Sequence, residues 1–231
     1  MRRGPAVAGW EDGAMSDAGV TGPRTLLVLL HGLGDTPAGW QPQVGSFPAG
    51  QRMAVPWLAG LKPTDRRPFD LDEAVGQVVA LAEEHRAARL RLVGHGLGAT
   101  VALRVAGRHP DLVDRLVLSA PSPTPPRWVL RLQRALVGLA PRPRPGAGLD
   151  RDRVRAVLSD LARADPAADL PKVRAPTLVV CGREDRAGLV GARATAARVP
   201  GARLELLDGG AHLPSTSPDE FTRLLHEHLA G

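Results

Sequence analysis

Short apolar runs recur along the chain at 26–30, 52–55, 90–93, 116–118 and 178–180, separated by longer stretches of helical periodicity. Runs that are apolar throughout, rather than every second residue, predict strands of a parallel sheet covered by helices on both faces. Leu204-Glu205-Leu206 alternates instead, as a half-exposed edge strand does. The expected architecture is therefore α/β: a mostly parallel sheet of about six strands with helices on both faces. Helices are predicted at 70–87, 97–108, 188–198 and 216–229. The second of these is apolar on nearly every side, and Ala99 and Ala102 are small enough for close approach, so it should pack directly on the sheet. His109-Pro110 forbids its continuation.

Two segments depart from this alternation. Residues 1–24 are rich in Gly, Ala, Pro and charge, show neither strand nor helix period, and read as a disordered leader, with Met15 as an alternative start. Residues 121–175 form an insertion between two strands. It has a Pro-rich entry at 121–126, an amphipathic stretch at 127–140, a Pro/Gly break at 141–148 and a second helix at about 150–164. An insertion so placed predicts a short helical lid within a domain spanning 25–231.

Composition narrows the function classes. With 43% apolar residues the 231-residue chain can build a core without staples, and its single cysteine, Cys181, forms no intrachain disulfide. No signal-peptide pattern follows the N-terminal arginines and no run approaches the length of a membrane span, so a soluble cytoplasmic protein is expected. The formal charge of +6 is carried almost wholly by arginine, Lys62 and Lys172 being the only lysines. Without tyrosine, and with only three Phe and four Trp, the chain lacks a stacking platform for nucleic acid. Eight arginines within 127–155, against Asp150 and Asp152, read as a solvated face of the lid, with an anionic acyl carrier or membrane surface as the sharper alternative.

Three features in one order carry the chemistry. Leu29-Leu30-His31-Gly32-Leu33-Gly34 closes the first strand with glycines that let amides turn into a pocket. Gly94-His95-Gly96-Leu97-Gly98 stands between a strand and a helix, the context of a nucleophile elbow. Asp185 and His212 then each follow a later strand. The order elbow, acid, histidine resembles that of the α/β-hydrolases, and the likeness covers roughly residues 25–230. Larger members of that family carry antiparallel strands ahead of the His-Gly strand; none is visible in residues 1–24, which predicts a trimmed sheet.

The resemblance implies His212 as general base, Asp185 as the acid that orients it, and the amides of Leu33 and Leu97 as an oxyanion hole. It also implies a serine at the elbow's centre, where this chain has Gly96. Glycine cannot form an acyl-enzyme. Among other hydroxyls and thiols, Ser119 follows a strand at the pocket end, while Thr100 and Cys181 read as space-filling. His31 and His95 are expected to serve backbone geometry. His226 and His228, two apart on a helix, do not face each other as a metal pair would.

Three functional readings follow. The first is a hydrolase of an ester, thioester or related acyl compound whose serine has been replaced. The second is an enzyme that uses a His-Asp pair as a general base without a covalent step, as a lyase, an isomerase or a water-activating hydrolase. The third is a non-catalytic binding protein, similar to the N-myc downstream-regulated family. A small acyl substrate, no metal, no cofactor and no nucleic-acid partner are expected; oligomeric state is left open.

Overall fold

Residues 24–122 and 151–230 are described by the structure, a computed structural model. Six strands lie parallel: β1 (Thr25–Leu30), β2 (Met53–Ala54), β3 (Arg89–His95), β4 (Val113–Ser119), β5 (Thr177–Gly182) and β6 (Arg203–Leu207). Their spatial order is β2-β1-β3-β4-β5-β6, so β6 is an edge, as its alternating pattern implied. Among the described residues the helices are α1 (Gln41–Ser46), α2 (Leu71–Glu84), α3 (Leu97–Arg108), α4 (Arg151–Ala164), α5 (Arg186–Arg198), α6 (Leu213–Thr216) and α7 (Pro218–Ala230).

The uniformly apolar strands follow from a sheet buried on both sides. Leu26, Val28 and Leu30 join Leu92, Leu116 and Leu118 beneath α2 and α3. Their alternates Leu27, Leu29, Val93, Val117 and Val180 meet Trp40 and the α7 side chains Phe221, Leu224 and Leu225 on the other face. Each such leucine contributes roughly 1.5–3 kcal/mol through its burial. Helix α3 has the predicted bounds, and residues 97–107 are all buried.

One buried charge fixes how α3 sits. The Arg104 guanidinium donates to Asp72 at 3.1 Å, to Asp169 at 3.3 Å and to the Ala164 carbonyl at 2.8 Å, tying α3 to α2, the end of α4 and the 3-10 turn Pro166–Lys172. A guanidinium so desolvated is tolerable only when paired in this way. Helix α4, the second part of the expected lid, buries Val157 in the core, and its Asp160 accepts the Leu71 N–H at 2.8 Å. Of the expected leader at 1–24 all but Arg24 lies outside the described residues, as do the amphipathic stretch at 127–140 and the Pro/Gly break.

Several boundaries differ from the periodicity for local reasons. Asp70 caps α2 through the Glu73 N–H at 2.8 Å, so the helix starts at Leu71. Asp185 caps α5, which therefore begins at Arg186. Predicted helix 216–229 is two helices, with Pro218 opening the second where a fixed φ and a missing N–H cost nothing. Helix α1 and the preceding turn Pro37–Trp40 carry too few residues for a periodic signal. No described helix is long and apolar enough to cross a membrane.

Candidate functional site

In the strand order β2-β1-β3-β4, the connection that leaves β1 runs one way, to β2, and the one that leaves β3 runs the other way, to β4, so the carboxyl ends of β1 and β3 flank the resulting crevice. Ligand sites of open α/β sheets form at such a reversal. The register brings the two ends level, with Leu30 beside Gly94 and His95 beside Ser119. Beyond β1 runs His31-Gly32-Leu33-Gly34-Asp35; beyond β3 comes the turn into α3.

That turn is built by three glycines for two different reasons. A Cβ on Gly98 would overlap the Leu30 carbonyl, and one on Gly94 would overlap the Gly98 carbonyl, so both positions serve close contact between strand and helix. Gly96 has φ +53° and ψ −110°, a conformation that costs other residues about 1–3 kcal/mol. Among the described residues a Cβ there would meet only the Gly32 Cα, at 3.8 Å, so torsion rather than their bulk favours glycine. The Gly96 N–H donates to the Ser119 carbonyl at 2.9 Å and fixes the apex against β4. The Leu97 amide that follows belongs to the first turn of α3, whose N–H groups have no intrahelical acceptor. Leu33 lies on the facing loop, inside a turn closed by Asp35 N–H to Gly32 O at 3.2 Å.

His212 stands at the start of α6 with its side chain 57% exposed, and its Nδ1 is 3.7 Å from Asp35 Oδ1. The other Asp35 oxygen is 3.8 Å from Nε2 of His95, whose Nδ1 lies 3.2 Å from Ser119 Oγ. The two imidazoles are 5.2 Å apart. Together with His31, Gly32 and Ser215, the side chains of Asp35, His95 and His212 line a cleft of about 40 Å³. Gly32 makes the convergence possible: a Cβ there would stand 2.5 Å from Asp35 Oδ2 and 3.0 Å from the His95 ring.

Asp185 is placed differently from its expected role. Its Oδ1 accepts the Gly188 N–H at 2.8 Å as the cap of α5, and among the described residues the carboxylate within ion-pair reach of His212 is that of Asp35. Asp185 still lies near enough for its charge to favour protonation of His95. Asp35 is the residue that sequence reasoning passed over; its signal is a carboxylate on the same glycine loop as Leu33, three residues after Gly32.

Burial holds the pKa of His95 down at about 4, against the opposing pull of Asp35, so the ring is neutral at physiological pH. Burial also lowers His31, whose Nε2 accepts the Leu58 N–H at 3.2 Å, which requires Nδ1–H to donate to the Gly32 carbonyl at 2.9 Å. His31 thereby shapes the loop. Ser119 is fully buried against His95, and burial pushes the Cys181 thiol up to about 11, so neither is poised to attack. His226 and His228 bond separate groups, Ser46 Oγ and the Pro176 carbonyl. A larger cavity of about 510 Å³, with Lys62, Asp65, Arg66 and Glu73 in its wall, lies beyond Trp57, which meets His31 edge-on at 5.1 Å.

Comparison with known proteins agrees with this architecture. Residues 27–224 match the profile described as the alpha/beta hydrolase family. The chain is 28% identical to the RutD protein of Stutzerimonas stutzeri, named for carbamate hydrolysis, over 88% of this chain and 91% of that one. It is 36% identical to a pimeloyl-[acyl-carrier protein] methyl ester esterase of Aromatoleum aromaticum, over 64% of this chain and 53% of that protein. Among solved structures, an enol-lactonase from Burkholderia xenovorans shares the fold with a TM-score of 0.74 at 22% identity, covering 93% of this chain and 95% of that one.

Proposed function

The chain belongs to the alpha/beta hydrolase family, and from that premise we propose that it hydrolyses an ester, thioester or related acyl compound by direct attack of water, without an acyl-enzyme. The observation that carries this reading is the convergence of the His212 imidazole and the Asp35 carboxylate on a cleft whose elbow carries glycine. Esterase and lactonase names among the relatives support the substrate class.

With Nδ1 directed to Asp35, the His212 ring has Nε2 left for a water proton. Water oxygen bonds to the acyl carbon as Nε2 takes the proton, and the carbonyl oxygen gathers negative charge facing the Leu33 and Leu97 amides. Asp35 stabilises the imidazolium. Collapse of the tetrahedral intermediate breaks the bond to the alcohol or thiol, which leaves with the proton from Nε2. The products are a carboxylic acid and an alcohol or thiol, and Nε2 of His212 has returned the proton it took.

The test is turnover of short acyl esters and thioesters by the native chain in the presence of chelator. His212→Ala should reduce it by about 10²-fold or more. Asp35→Asn should reduce it further than Asp185→Asn does. Failure of the native chain to turn over any such compound, while Gly96→Ser gains both turnover and fluorophosphonate labelling, overturns the proposal in favour of a hydrolase disabled by loss of its serine.

A further inference from the structure

The same cleft supports an inference that goes beyond hydrolysis and runs against the expectation of a metal-free chain. We propose that Asp35, His95 and His212 form a binding site for a borderline divalent transition-metal ion of the Zn2+ type. One ligand atom from each residue lies within 4.8 Å of the other two, and the two histidine-to-carboxylate distances are 3.7 and 3.8 Å. Tetrahedral Zn2+ with ligands at about 2.0–2.1 Å sets neighbouring ligands about 3.3 Å apart; the two histidine-to-carboxylate pairs, each on its own Asp35 oxygen, close by a few tenths of an ångström, and the 4.8 Å span of the three ligand atoms closes by movement of the exposed His212.

The three members divide the work that such a site needs. His95 is buried on β3, and coordination through Nε2 leaves Nδ1–H to donate to Ser119 Oγ, 3.2 Å away, the kind of outer partner that fixes a liganding ring. Asp35 is held in the loop after β1 and has one oxygen turned to each histidine. His212 is exposed and can supply the remaining movement, and the solvent it faces is the route by which an ion enters. Gly32 permits the approach of Asp35 to His95, which a Cβ would obstruct.

The donor set selects the ion. Two imidazoles and one carboxylate suit Zn2+, Co2+ or Ni2+, whereas Mg2+ and Ca2+ require oxygen-rich shells. Three protein ligands leave a fourth position for water. An ion on His212 Nδ1 occupies the nitrogen that faces Asp35, where the base-ready form carries its proton, so the loaded and base-ready forms of His212 exclude each other.

The experiment is titration of the chelator-stripped full chain with Zn2+ by calorimetry, and with Co2+ by visible absorption, with no substrate present. One equivalent should bind, with the absorption of a low-coordinate Co2+ site. His212→Gln and Asp35→Asn should each weaken binding by about 100-fold or more, and Ser119→Ala by about 10-fold. His212 is exposed, so its variant keeps the test valid even if changes at buried positions disturb folding. No binding, equal binding of Mg2+, or binding unchanged by His212→Gln and Asp35→Asn overturns the site. Turnover in chelator is read separately, so the two proposals fail independently.

Discussion

The two ends of the cleft are built to different standards. At the β1/β3 end, main chain meets main chain across Gly94 and Gly98, and the side chain presented there, His95, is buried and anchored by Ser119. At the β5/β6 end the backbone is also meshed, with Arg183 N–H on Leu207 O at 2.8 Å and Glu184 N–H on Gly209 O at 3.0 Å. Its side chains, however, are less committed: His212 is exposed and Asp185 spends its carboxylate on a helix cap. Parts of a site that are made of backbone are locked by the fold. Parts made of exposed side chains can change partners, and here the histidine meets an acid from the opposite end.

The difference can be pressed by substitution. Gly98→Ala sets a methyl group against the main chain of Leu30, which has nowhere to go. A loss of about 3 kcal/mol or more is expected in urea unfolding at neutral pH. Acid is the next strongest probe of the same end. His95 binds its proton at about 4 in the fold and at 6.5 when unfolded. As pH falls between those values only the unfolded chain takes up the proton, so in chelator stability should drop by about 3 kcal/mol and then level off. His95→Gln should flatten that limb of the pH profile.

Gly96→Ser keeps the space but pays the torsion, and should lower stability by about 1–3 kcal/mol. The β5/β6 end should respond least. Asp185→Ala removes the α5 cap for about 1 kcal/mol, while Asp185→Asn, which still accepts from Gly188 N–H, should stay within about 0.5 kcal/mol. A larger loss for Asp185→Ala than for Gly98→Ala would break the contrast.

The fold was legible because parallel strands buried on both faces leave continuous apolar runs, and a helix buried on nearly every side, such as α3, ends where proline stops it. The strand-turn-helix setting of the elbow was legible for the same reason. What the chain concealed was pairing. Nothing in the spacing of Asp185 and His212 says which carboxylate faces the ring, because that depends on how two loops from distant strands lie in space. Asp35 sits among glycines, where no period marks it. Helix caps hide similarly: Asp185 as a cap and Asp185 as an acid have the same sequence signature, a carboxylate just after a strand and just before a helix.

Gly96 also bears on the history open to this chain. Among the described residues, a Cβ added at this position would meet only Gly32. Some glycine and serine codons differ by a single base, and the described surroundings leave room for the Cβ that serine would add. What separates glycine from serine at this turn is backbone torsion, so Gly32 and the turn it faces set the terms on which a hydroxyl could be carried here.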